Sequence, residues 1–356
     1  MKRLRTLYFV IANTAIVVLL IEAGAHVAIR TVQWIRSPDL SYARLTEPAR
    51  RNYAHMTPAE VDDLLRVTGS LRFRYAPIVG FVQEATTSRF VNIDAYGIRS
   101  NGSAHREISA MQDAIWFFGG STTLGFGVAD RETIPAQLEH ILARPVMNLG
   151  VRAHASPMEN RLLNHYLRLG YRPAVAIFLD GINESCDQDL FDDELGTLVA
   201  QMADGYTWRF GEPVLYGYAR LSRKLKRMMG MAVDPPDIMT VTCTGAGRRI
   251  PLRTIHARTM AERGALCGLY RIECRTFVQP FAGIHGRHDD PAFVASLDAK
   301  YLRDLWEHLE SSWRDAGAAF VTDALDRSHH HAFVDSAHYS AEACRLIAEA
   351  IALKLR

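Results

Sequence analysis

The sequence predicts an α/β fold in which helices cover both faces of a parallel sheet. Three observations predict it. Positions 114–118, 145–149 and 174–179 are short apolar runs without polar alternation, the pattern of strands buried on both faces. Helix-length segments follow the first two runs, at about 134–143 and 158–169. The alternation then resumes with a helix at about 255–272, a strand at 276–278, a long helix at about 292–316, a strand at 319–321 and a last helix at about 341–353. Each strand has its own stop signal. Ala114-Ile115-Trp116-Phe117-Phe118 halts at Gly119-Gly120, the second run at Asn148-Leu149-Gly150, and the third at Asp180-Gly181-Ile182-Asn183-Glu184. In such sheets ligands bind beyond the carboxyl ends of the strands, so these stops are where chemistry is expected.

The 356 residues exceed an average domain but suit one large α/β unit. A chain that is 48% hydrophobic and 22% charged is neither disordered nor collagen-like. Its net charge of +2 offers no basic field, so nucleic acid is not an expected partner. The five cysteines form no Cys-x-x-Cys pair, which argues against a zinc ribbon or a thioredoxin-type site. Cys243 pairing with Cys267 or Cys274 is one alternative outside the cytoplasm.

Lys2, Arg3 and Arg5 precede an apolar run over 7–29 interrupted by Glu22 and His26. A helix of that length reaches about 34 Å, enough for a hydrocarbon core about 30 Å thick. The basic cluster predicts a cytoplasmic N-terminus, with everything after Arg30 outside. Ala23-Gly24-Ala25 also fits a signal-peptidase site, and the two polar interruptions fit an amphipathic soluble helix. The expected organisation is an anchor over 1–30, a stalk over 31–70 and a main domain over 71–356. In the stalk, Thr57 caps a helix that starts at Pro58, and Glu60 reaches back. An insertion over about 185–251 carries an acidic piece, several aromatics and a basic helix-like run. The insertion reads either as a solvated basic helix face or as a lid or a patch touching anionic envelope lipid or polymer.

Four elements at the strand ends combine into one pattern. Ser121 follows Gly119-Gly120, a setting in which a hydroxyl is exposed beside free backbone N–H groups. Gly150 allows close approach of a reacting group, and the Asn183 amide is a neutral donor that does not titrate. Asp335 and His338 stand three apart before the last helix, so the carboxylate can hold one imidazole nitrogen while the other accepts a proton. Ser, Gly, Asn and Asp-x-x-His in this order resemble the SGNH hydrolase superfamily, the GDSL-type esterases, over roughly residue 75 to the end. Phe118-Gly119-Gly120-Ser121-Thr122-Thr123 has Gly120 where the namesake motif has Asp, as in a Gly-Gly-Ser-Thr branch with many membrane-anchored bacterial members. Glu184 replaces the usual Asp of the third block, and Val278-Gln279-Pro280 looks like a further feature of that branch.

The resemblance implies a flavodoxin-like three-layer α/β/α sandwich, a serine nucleophile, and neither cofactor nor metal. Ser121 would attack an ester, His338 would move the proton and Asp335 would orient His338. The oxyanion would sit between the Ser121 and Gly150 N–H groups and the Asn183 amide. Asp180 and Glu184 are candidates for fixing that amide. The expected function is hydrolysis of acyl esters, with acetyl esters of an envelope glycan or lipid as the substrate the anchor suggests. Transfer of the same acyl group to a sugar hydroxyl, and a non-catalytic envelope scaffold, are the alternatives. His329-His330-His331 reads as a loop rather than a metal site, His154 as a structural histidine or a substrate contact, and Cys186 as no rival to Ser121.

Overall fold

The computed structural model describes scattered positions between 5 and 27, then 41–102, 112, 114–185, 252–286, 288–297 and 299–355. The predicted insertion, with Cys186 and Cys243, lies outside the described residues apart from its first position. So do Glu22 and His26 in the N-terminal run. The chain divides into two compact units, 1–39 with 206–241, and 40–205 with 242–356. In the first, the described positions from 5 to 27 are helical, and apolar side chains such as Phe9, Ile16 and Leu20 are exposed. Among the described residues, no helix is long and apolar enough to cross a membrane.

The second unit is built on five parallel strands: β3 (Ile115–Gly119), β4 (Val146–Gly150), β5 (Val175–Asp180), β6 (Glu273–Val278) and β7 (Ala319–Phe320). They lie in the order β4-β3-β5-β6-β7. Every residue of β3, β4 and β5 is buried, as their apolar composition requires, with Asn148 of β4 and Asp180 at the end of β5 as buried polar members. Alternation sends Ile115 and Phe117 to one face, where α4 (Ile134–Leu142) and α9 (Ala341–Lys354) pack. Trp116 and Phe118 go to the other, against α5 (Ser156–Arg168). The α/β expectation therefore holds. Gly119 is in register with both Gly150 and Leu179, so three loops leave the sheet at one level. The chain runs from β3 outward to β4 and returns across β3 to β5, which places the switch in strand order between β3 and β5.

Three expectations need correction. The segment 41–70 is not a stalk. It carries α1 (Glu47–Arg51) and α2 (Pro58–Ser70), the latter opened by the Thr57–Glu60 capping box. Val61, Leu64 and Leu65 of α2 and Tyr53 are buried with Val91, Ile93, Leu124 and Val334, so the packed unit starts at Leu40 rather than at 71. The helix expected over 292–316 is two, α7 (Pro291–Ser296) and α8 (Ala299–Asp315). Leu297 turns extended between them and packs against the core. Cys267 at the end of α6 (Leu252–Tyr270) bonds Cys274 of β6, so neither pairs with Cys243. The irregular strands expected over 72–97 include one antiparallel hairpin, β1 (Phe73–Ala76) and β2 (Gly80–Gln83).

Candidate active site

Ser121 opens α3 (Ser121–Leu124), a single helical turn directly after β3. The two glycines before it are sterically required. A Cβ on Gly119 would fall 2.0 Å from the Thr123 hydroxyl, and one on Gly120 would fall 2.1 Å from Asn183 Nδ2. The far end of the turn is held by a buried arginine that sequence reasoning missed. Arg99 donates to the carbonyls of Leu124, Gly125 and Val128, and its Nε lies 3.0 Å from Asp130 Oδ1. These contacts satisfy the last carbonyl of the one-turn helix and tie down the loop that follows it. Only chain folding brings Arg99 there, so no local signal could have found it.

His338 Nε2 lies 2.8 Å from Ser121 Oγ. Its Nδ1 lies 2.7 Å and 2.9 Å from the two Asp335 oxygens. A carboxylate cannot donate, so Nδ1 carries the proton, and Nε2 is left to accept from the serine hydroxyl. Asp335 Oδ1 also accepts the backbone N–H groups of Ala337 and His338. Burial pushes the Asp335 pKa up, but the His338 charge and these hydrogen bonds outweigh it, and the net shift is downward. The carboxylate therefore stays ionised. Phe126 stacks on the imidazole, with ring centroids 4.3 Å apart.

The three donors expected for an oxyanion have different surroundings. The Ser121 N–H is the first of α3 and has no helical acceptor. Asn183, on the 3-10 turn Ile182–Ser185 after β5, donates from Nδ2 to the His154 carbonyl at 2.7 Å and packs against Gly120. Gly150 differs from expectation, because its N–H donates to Asn148 Oδ1 at 3.0 Å. Its lack of a side chain serves packing, since a Cβ would lie 2.2 Å from the Leu124 nitrogen. Three residues on, Ala153 has the left-handed φ of 60° and is exposed, and among the described residues its N–H has no acceptor. An alanine held in that conformation is a strained position. Its φ is the signal, and φ is not written in the sequence.

The loop 151–155 is braced from β2. The His154 ring donates from Nε2 to the Phe81 carbonyl at 2.8 Å, and burial lowers its pKa to about 4. It is the structural histidine of the two sequence alternatives. The Arg152 N–H donates to Gln83 Oε1. Thr122 bonds Gln279 at 2.8 Å, which ties the nucleophile turn to the Val278-Gln279-Pro280 segment.

Glu184, next to Asn183 in the chain, belongs to a buried charge cluster. Glu184 accepts from the Ser156 and Gly181 N–H groups at 2.7 Å and 2.5 Å, fixing the 3-10 turn to the start of α5. Asp180 is bonded by Arg263 at 2.8 Å, and the same guanidinium reaches Thr276, Asn160 and Glu159. Both carboxylates named from the sequence thus hold backbone N–H groups or Arg263 rather than the Asn183 amide itself, whose Nδ2 donates to His154, and Glu159 is a third acid that was missed. The ligand oxygens of Glu159, Asp180 and Glu184 lie within 4.8 Å of one another, and Arg263 supplies the cation in their midst. Burial first, and Asp180 second, raise the pKa of Glu159 well above normal and push Glu184 up to about 8. One oxygen each of Glu159 and Asp180 has no hydrogen-bond partner.

The His329-His330-His331 run splits. His331 is buried, 3.0 Å from Asp289, while His329 and His330 are exposed, so the three do not converge. A cavity of about 940 Å³ is lined from 55–60, 86–94, 100–102 and 129–132, and none of Ser121, Asn183 or His338 borders it.

No protein-family model matches the chain, and no curated protein matches it. Among solved structures it is similar to a member of the lipolytic protein G-D-S-L family from Veillonella parvula, at 11% identity and a TM-score of 0.36 over 68% of this chain and 96% of that one. An acetyl xylan esterase, AlAXEase, matches at 10% identity and 0.35 over 68% and 99%. Est24, a carbohydrate acetylesterase from Sinorhizobium meliloti, matches at 15% and 0.32 over 68% and 98%. At these scores the likeness carries no weight on activity, and the reading that follows rests on the site.

Proposed function

We propose that the protein is a serine ester hydrolase that works through an acyl-Ser121 intermediate. The observation that carries this is the hydrogen-bonded chain from Ser121 Oγ through His338 to Asp335. The Ser121 oxygen attacks the ester carbonyl while its proton passes to His338 Nε2. The negative oxygen that forms is held by the Ser121 N–H, the Asn183 amide and, in place of Gly150, the Ala153 N–H. The imidazolium then gives its proton to the leaving alcohol, and water, deprotonated by the same nitrogen, releases the acid. Asp335, already ionised, stabilises the imidazolium in both halves.

The finer parts of the reading concern place and substrate. A basic start followed by exposed apolar positions between 9 and 27 supports a single N-terminal anchor, and the Cys267–Cys274 disulfide supports an oxidising compartment outside the cytoplasm. An acyl ester, acetyl above all, on an envelope glycan or lipid is the substrate that such a location offers. Transfer of the acyl group to a sugar hydroxyl would use the same intermediate and is read out by adding an oligosaccharide acceptor. A fluorophosphonate probe tests the core of the reading. It should label the peptide containing Ser121, and His338→Ala should abolish labelling. A folded protein that stays unlabelled overturns it and leaves a binding scaffold.

A further inference from the structure

Arg152 stands between two aromatic rings at the edge of this site. Its guanidinium carbon lies 5.8 Å from the centre of the Phe126 ring and 5.7 Å from that of Phe73. Phe126 in turn is the ring stacked on His338. One guanidinium nitrogen donates to the Leu71 carbonyl at 3.1 Å, which leaves the rest of a five-donor fork uncommitted. Among the described residues no carboxylate pairs with it, and desolvation alone governs its lowered pKa. Contrast Arg99 and Arg263, the fully buried arginines of this unit, each of which faces an aspartate. A half-buried cation without a counter-charge is a cost unless something anionic arrives to meet it.

Its position says which part of a substrate it would meet. His338 Nε2 delivers its proton to the leaving oxygen, so the alcohol portion lies on the His338 side, where Phe126 and Arg152 follow in sequence outward from the imidazole. We propose that Arg152 is a specificity-determining residue that selects esters whose alcohol portion carries a carboxylate, received by the free edge of the guanidinium. A planar fork between aromatic faces suits a planar carboxylate better than a lysine would. This deepens the esterase reading and rests on it for the ester, though not for the anion.

A matched pair of probes separates charge from shape: 4-acetoxybenzoate and its neutral methyl ester. The wild-type protein should prefer the anion in kcat/KM by at least about tenfold, the effect of one charge-assisted hydrogen bond. Added salt should shrink that ratio, a test that needs no variant. Arg152→Gln should lower the ratio by at least about tenfold and Arg152→Lys by less. A wild-type ratio near one, or equal losses on both esters in Arg152→Gln, overturns the proposal, since a merely structural arginine would affect both alike. Calorimetry of Ser121→Ala with 4-hydroxybenzoate against its methyl ester reads the same site without turnover. Anion-selective binding lost in the Ser121→Ala/Arg152→Gln protein, with no ester hydrolysed by wild type, would sink the esterase reading and keep the anion site. Hydrolysis without charge preference would do the reverse.

Discussion

Asp335 with His338, and the acids around Arg263, are two acid–base groupings with opposite settings. The outer one, Asp335 with His338, keeps partial contact with solvent, with side chains 33% and 16% exposed. Its carboxylate is held below the ordinary range by the His338 charge and three hydrogen bonds against the pull of burial. The inner one, Glu159, Asp180 and Glu184 around Arg263, is buried, and its glutamates are held above the ordinary range. Both contain carboxylates in contact with a nitrogen base. What separates them is the number of acids per cation and the water they keep. One acid per base at the rim can move a proton in a reaction. Three acids per base in the interior hold a backbone turn in place.

This contrast can be broken experimentally. The largest effect belongs to the outer group: Ser121→Ala or His338→Ala should cut ester hydrolysis by on the order of 10⁴-fold or more while circular dichroism and melting stay at wild type. Retained turnover in either would remove the outer group's role. Arg263→Ala should instead act on folding, since it strands the buried acids, and should cost about 3–5 kcal/mol in a denaturant titration. Asn183→Ala should lower kcat by about 100–1,000-fold with little change in stability, whereas Gly150→Ala should mainly destabilise, because its new Cβ meets Leu124.

The smallest effect is a pH dependence of stability from the inner group. Glu159 and Glu184 ionise near 4.5 when unfolded, but Glu159 is held well above that in the fold and Glu184 up to about 8. Ionisation thus favours the unfolded chain. The contribution is intact below about 4.5 and is lost as pH rises through about 8. The melting temperature should fall from about pH 5 to about pH 9 less steeply in Glu159→Gln than in wild type, since the amide keeps a neutral donor toward Asp180. Parallel slopes would mean that the inner glutamates are ionised throughout.

Much of this arrangement is readable in the sequence, and the reason differs by element. β3, β4 and β5 are legible because strands covered on both faces leave an apolar run with no alternation. Ser121, Asp335 and His338 are weak signals one by one and are legible only as a set, in the order Ser, Gly, Asn and Asp-x-x-His that resembles the SGNH hydrolases. The oxyanion loop misleads, because glycine after an asparagine at a strand end suggests an open N–H, yet Asn148 turns its own amide oxygen onto Gly150. The segment 41–70 misleads because its two short helices look separable. Its apolar face is covered by Val91, Leu124 and Val334, residues between about thirty and nearly three hundred positions away.

The sequence by itself determined the strands, set by periodicity, and the tight turns that carry Ser121 and the Asp335–His338 pair, set by spacing within a few residues. The tertiary structure alone decided that the Gly150 N–H is engaged by Asn148, which acids share one buried arginine, and which cation beside Phe126 has no carboxylate partner among the described residues. The last two outcomes depend on distances between segments remote in the chain, and burial and pairing are properties of such distances, not of any single segment.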